Sequence, residues 1–156
     1  MPPDEPPSSR ATAVLLIAHG SRHAPANDDL RRTAAWLADR GDFAIVEPAF
    51  LELAEPDIRA GGDRCADRGA TWVLMVPYFL SAGVHLIRDL VAARDDLHRR
   101  HPGVEFRLGP PLGPDPALDR LVLDRARQLD SGSSPDFAPA SEMAARYVPM
   151  NDHDAG

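Results

Sequence analysis

Short apolar runs alternate with longer amphipathic stretches along most of this chain, and that alternation restricts the fold more than any other feature. AVLLIA (13–18), FAIVEPAFLE (43–52), WVLMVP (72–77) and VEFRLG (104–109) have the length of strands. The first is apolar without interruption, as a strand buried on both faces must be. Between the runs the spacing becomes helical. Residues 27–40 carry Leu30, Ala34 and Leu37 with charges between them and Gly41 as a stop. Pro56 opens a second helix that runs to about Arg68, with Gly69 at its end. Gly61 and Gly62 weaken that helix, at about 1 kcal/mol each against alanine. HLIRDLVAARDDLHRRH (85–101) is strongly amphipathic, and ALDRLVLDRARQL (117–129) follows the loop PPLGPDP. No internal repeat is evident. Four strand–helix pairs predict an α/β fold, an open, mainly parallel four-stranded sheet with helices on both faces.

In open sheets of this kind, ligands bind beyond the C-terminal ends of the strands, where the strand order reverses. With the order 2-1-3-4, the first and third strands flank that point. AHGSRH (18–23) therefore attracts attention. His19 follows strand one, Glu52 ends strand two, and His85 follows strand three after the loop YFLSAGV. Two imidazoles and a carboxylate at one sheet edge suit a borderline divalent cation such as Co²⁺, Ni²⁺, Fe²⁺ or Zn²⁺. Structure alone gives an alternative, in which His19 caps the next helix and His85 merely begins its own. Arg22 and Arg88 flank the two histidines and could pair with a substrate carboxylate. Phe50, Tyr78 and Phe79 end strands two and three, where they pack in the core or line a pocket wall. His23 reads as a solvated loop residue, and His153 lies near the end of the chain. His98 and His101 sit at a helix C-terminus, where the dipole favours a cation. Asn27-Asp28-Asp29 reads as a helix start and receives no catalytic role.

Composition removes several classes of function. The net charge of −7 disfavours a general affinity for nucleic acid or anionic membranes. All 17 basic residues are arginine, so there is no Schiff-base lysine and no Walker-type phosphate lysine. The single cysteine, Cys65, permits neither an intrachain disulfide nor a thiolate cluster, and reads as a buried, inert thiol. No apolar run has the length of a membrane span, and MPPDEPPSSR lacks the apolar core of a secretory signal, so the expected compartment is the cytoplasm. Residues 1–11 read as a disordered arm, 12–129 as the domain, and 130–156 as a disordered tail containing one small apolar patch, MAARYVPM.

Taken together, HGSR, AFLELAEPDI, VPYFLSAGVHLIRDL and PPLGPDPAL resemble the small, single-domain (class II) sirohydrochlorin chelatases, in order and from about Val14 to Leu129. The resemblance implies a flavodoxin-like half-chelatase that pairs as a homodimer, with its active site facing the partner. It implies ATP-independent insertion of Co²⁺, Fe²⁺ or Ni²⁺ into sirohydrochlorin, in cobalamin or siroheme biosynthesis. No cofactor is expected beyond the metal substrate. The family's metal-handling histidines fall on His19 and His85 and its strand-two glutamate on Glu52. Ser21, Arg22, Tyr78, Phe79 and Arg88 are the expected substrate contacts.

Two rival functions use the same residues. A histidine-nucleophile phosphoryl transferase would want an arginine before His19, where this chain has Ala18. A non-catalytic carrier of metal or tetrapyrrole could use both histidines, and only turnover separates it from a chelatase.

Overall fold

All four apolar runs pair as parallel strands in a computed structural model that describes residues 11–133. Strands and helices alternate strictly, as β1 (Thr12–Ala18), α1 (Ala24–Asp39), β2 (Ile45–Phe50), α2 (Ile58–Asp67), β3 (Trp72–Pro77), α3 (Val84–Arg100), β4 (Glu105–Leu108) and α4 (Pro116–Asp130). The strand order is β2-β1-β3-β4, with Leu15 of β1 facing Glu47 on one side and Met75 on the other. The reversal point therefore falls between β1 and β3, as in the order 2-1-3-4 assumed for the sequence. The arm before Ala11, the patch MAARYVPM and His153 lie outside the described residues. Ala11 itself accepts hydrogen bonds from Thr71 and Trp72, and α4 extends to Asp130.

Each face of the sheet has its own apolar core. Ala13, Leu15 and Ile17 of β1 join Val73, Met75 and Phe106 against Ile58 and Cys65 of α2 and Leu90 and Leu97 of α3. On the opposite face, Leu16 and Phe50 meet Leu30 and Ala34 of α1. The two helical glycines have a packing reason. A Cβ on Gly61 would lie 2.8 Å from Leu15, and one on Gly62 would lie 2.4 Å from Leu97. Their cost in helix propensity is offset by the close approach of α2 to the sheet and to α3.

Two element ends differ from the sequence-based expectation. α2 begins at Ile58 instead of Pro56, because the Asp57 carboxylate accepts a hydrogen bond from the Ala60 amide at 2.7 Å and sets the N-cap there. α1 begins at Ala24, three residues before Asn27, with His23 at the N-cap and Pro25 in the first turn, where its missing N–H costs nothing. No helix among the described residues is long and apolar enough to cross a membrane.

The two C-terminal histidines of α3 tie elements together. His98 Nε2 lies 2.9 Å from the carbonyl oxygen of Phe106, on the open edge of β4. Asp63 of α2 accepts from Arg100 and meets His101, each at 2.7 Å. The Arg100 guanidinium holds the Asp63 carboxyl below its usual 3.8, with partial burial opposing and His101 assisting. Burial pushes the Cys65 thiol up to about 12, with Glu47 adding to the effect, so the sulfur stays protonated and inert.

A carboxyl lowered on folding stabilises the native state above its unfolded value, and that contribution disappears as pH falls through the folded value. Urea unfolding of Asp63→Asn should therefore show lower stability than the parent at pH 7. The difference between the two should shrink as pH falls below 3.8, the ordinary value of the carboxyl. A difference that stayed constant with pH would contradict the ion-pair account.

Candidate active site

Beyond β1 the main chain turns at Gly20, with φ +94°, and here the choice of residue is forced. A Cβ at this position would sit 1.8 Å from the carbonyl oxygen of Glu52. Only glycine lets the two loops lie this close. The amide of Leu51 then donates to the Ala18 carbonyl at 2.9 Å, and that of Glu52 to the His19 carbonyl at 3.0 Å. The second strand was expected to run to Glu52, but regular pairing stops at Phe50, and these two bonds carry the contact on in irregular form. Leu53, just after, takes φ 63°, a left-handed conformation that costs a residue with a side chain about 1–2 kcal/mol.

This backbone contact brings two of the candidate side chains together. His19 Nε2 stands 3.5 Å from Glu52 Oε1, with both side chains more than half exposed. A solvated pair of this kind adds little to stability. It leaves both groups accessible to an ion or a proton.

Asn27 braces the loop from below. At 7% exposure it is the one polar side chain buried among the described residues. Its Oδ1 accepts from the Ser21 amide at 2.9 Å and its Nδ2 donates to the Ser21 carbonyl at 2.7 Å. The Ser21 hydroxyl in turn accepts from the His23 amide at 3.0 Å. Sequence reasoning treated Asn27 as part of a helix start and missed this role. The signal was present as an asparagine six residues beyond the serine of HGSR, but its meaning depends on the helix beginning at Ala24.

The remaining predicted residues occupy the same sheet edge on neighbouring elements. His85 is the second residue of α3, exposed, with Arg88 exposed one turn further on. Tyr78 is partly exposed, its amide bonded to the Ile17 carbonyl, while Phe79 is half-buried and packs on the core. Phe50 is wholly buried in the core beneath Arg31, and so lines no pocket. Arg22 is exposed on the His19 loop. Leu53, Leu80, Val84 and Ile87 add exposed apolar surface to the segments around this edge. Among the described residues, no three His, Cys, Asp or Glu side chains gather closely enough to hold a metal ion. The structure thus joins His19 to Glu52 and leaves His85 on the adjoining element.

Fold and site define a parallel α/β domain that carries an open imidazole–carboxylate pair past the reversal point of its sheet. The chain belongs to the CbiX family, whose model matches residues 13–129. It is 33% identical over 115 residues to the chloroplastic sirohydrochlorin ferrochelatase of Arabidopsis thaliana, covering 74% of this chain and 51% of that protein. It is 32% identical to the sirohydrochlorin cobaltochelatase of Methanopyrus kandleri, over 74% of this chain and 95% of the relative. Among solved structures, a CbiX protein of Marinobacter aquaeolei matches with a TM-score of 0.67 at 30% identity, over 79% of this chain and 99% of the other. The cobalt complex of the sirohydrochlorin chelatase SirB of Bacillus subtilis matches with a TM-score of 0.67 at 27% identity, over 75% of this chain and 50% of that one. The chain therefore spans about half the length of some relatives and nearly the whole of others.

Asn27→Leu keeps the branched shape of the side chain at a larger volume and removes both bonds to Ser21, leaving part-buried main-chain groups without that partner at a cost of up to about 1–3 kcal/mol. Thermal unfolding should register that loss. NMR should show the His19 ring resonances displaced and those of His85 unmoved. Unchanged His19 resonances would mean that Asn27 does not hold the loop.

Proposed function

We propose that this chain inserts a divalent metal ion into sirohydrochlorin without ATP, with Co²⁺ the first candidate and Fe²⁺ or Ni²⁺ the others. The observation that carries the reading is the His19–Glu52 pair, held open at the reversal point of a CbiX-family domain. Sirohydrochlorin is a planar macrocycle edged with carboxylates, and metallation must release two pyrrole N–H protons. The task needs an ion held loosely on one face of the ring and a base beside it.

His19 supplies the first imidazole, and His85, on the next element of the same edge, supplies the second. An imidazole bound to the ion has no lone pair left to take a proton. Glu52, at 3.5 Å from His19, is the group that removes them. A tightly gathered set of three or four ligands would retain the ion, whereas an open pair can hand it over. Arg22 and Arg88 bind ring carboxylates, and a chain of net charge −7 needs such local positive charge to attract a polyanion. Ser21, Tyr78 and Phe79 complete the wall of the site. Two copies pair as a homodimer in the cytoplasm, with the site facing the partner. A carrier would need the histidines and no base, so the nearness of Glu52 favours catalysis.

Purified protein should be mixed anaerobically with sirohydrochlorin and Co²⁺, Fe²⁺ or Ni²⁺ in turn, following the absorbance change of metallation. The parent should exceed the protein-free rate, and Glu52→Gln should lose about 100-fold or more of that acceleration, the usual worth of a positioned base. His19→Ala and His85→Ala should lose it as well. Rates equal to the protein-free control, with metal still bound, would sink the chelatase reading in favour of a carrier.

A further inference from the structure

The first turns of α1 reach both loops of the candidate site, through two residues one helical turn apart. Asn27 grips the main chain of Ser21 and so fixes the loop that carries His19. Arg31, at the i+4 position, lies on the same side of the helix. Its guanidinium meets the other loop, where Nη2 donates to the Glu55 carbonyl at 3.0 Å. Nη1 donates to Asp28 Oδ1 at 2.9 Å, and the guanidinium carbon lies 5.1 Å from the centre of the Phe50 ring. Leu30 and Ala34 pack the helix on Leu16 and Phe50 of the sheet, so both arms extend from an anchored frame.

The loop after β2 depends on such an anchor. Main-chain bonds pin its two ends, from Leu51 to Ala18 and Glu52 to His19 on one side, and from Phe50 to Pro56 on the other. Between them stands Leu53, left-handed at φ 63° and more than half exposed. A residue with a side chain stays in that region only where its surroundings over-determine it. Ala54 contributes to the hold by packing on the core around Leu16 and Phe50, and the bond from Arg31 to Glu55 adds a polar tie. Glu52 directly precedes Leu53. Any relaxation at Leu53 therefore turns the Glu52 carboxylate relative to His19.

We propose that Arg31 is a positioning residue for Glu52, acting through the main chain at Glu55 and not through contact with the reacting atoms. Its value is geometric, because an exposed ion pair such as Arg31–Asp28 adds little to stability. A guanidinium is suited to the place. It bonds Asp28 and Glu55 at its edge while its face rests on Phe50, which the compact ammonium of a lysine does not reproduce. Asn27 and Arg31 together make α1 the frame that sets the spacing of His19 and Glu52. The catalytic consequence rests on the chelatase reading, in which Glu52 is the base, and a misplacement of about 1 Å costs a reacting group on the order of 100-fold.

Arg31→Met keeps an unbranched stem and removes every guanidinium contact. Arg32→Met is the control, since Arg32 pairs with Asp29 on the same helix. In Arg31→Met, amide hydrogen exchange at Leu51 and Glu52 should accelerate by about 10-fold or more, with exchange at Val73 and Met75 of β3 unchanged. The nuclear Overhauser contact between the His19 and Glu52 side chains should weaken. In metallation of sirohydrochlorin, kcat should fall by about 10- to 100-fold with KM held, because the ring-binding groups keep their places. Arg32→Met should match the parent in all three. Arg31→Lys, which keeps the charge without the planar fork, should show the same changes in smaller degree, and it carries the test if Arg31→Met does not fold. Parent-like exchange at Glu52, or a raised KM at constant kcat, would overturn the proposal. A parent that does not metallate sirohydrochlorin would sink the chelatase reading alone, since exchange and the His19–Glu52 contact still report whether Arg31 holds the loop.

Discussion

The close approach of Gly20 to the carbonyl of Glu52 governs the arrangement of the candidate site. Two main-chain bonds, from Leu51 to Ala18 and from Glu52 to His19, extend the pairing of two parallel strands just past their regular ends. The distance between loops permits no side chain at position 20. From that single restriction follow the left-handed turn, the early end of β2 and the meeting of His19 with Glu52. Asn27 closes the arrangement from the other side by gripping both main-chain groups of Ser21. A hydrogen-bonded main chain thus lies beneath the exposed His19 and Glu52 side chains.

That combination suits transfer better than storage. A buried, complete ligand set would bind a borderline ion too firmly to release it into a macrocycle. Exposed imidazoles bind ions weakly, and the Glu52 carboxylate beside one of them is open to solvent and to an approaching ring. The rigid loop supplies the positioning that the weak ligands lack.

Much of the fold was legible in the sequence because hydrophobic periodicity reports burial directly. AVLLIA read as a strand buried on both faces, and the alternation of strands and helices implied parallel pairing with crossovers. The strand order, assumed from the sequence, is the one the structure has. Element ends were less legible, because local hydrogen bonds decide them: Asp57 capped α2 two residues later than Pro56 suggested. At the candidate site, AHGSRH pointed to the edge where the structure sets His19 beside Glu52, through the rule for ligand sites in open sheets. The grip of Asn27 on Ser21 was not legible, since it depends on where α1 begins. Nor was the exposure of α4, which has no buried residue. An amphipathic pattern predicts a helix and leaves open how much of its apolar face the rest of the chain covers.

On the proposed reading, this edge turns over substrate and does not merely hold it. The most direct measurement is the amount of metallated sirohydrochlorin formed per chain when tetrapyrrole and Co²⁺ are both in large excess, corrected for the protein-free rate. A catalyst produces many equivalents per chain, and the yield falls to the protein-free level in Glu52→Gln. A yield that stops at one equivalent per chain, with or without Glu52, would contradict the account.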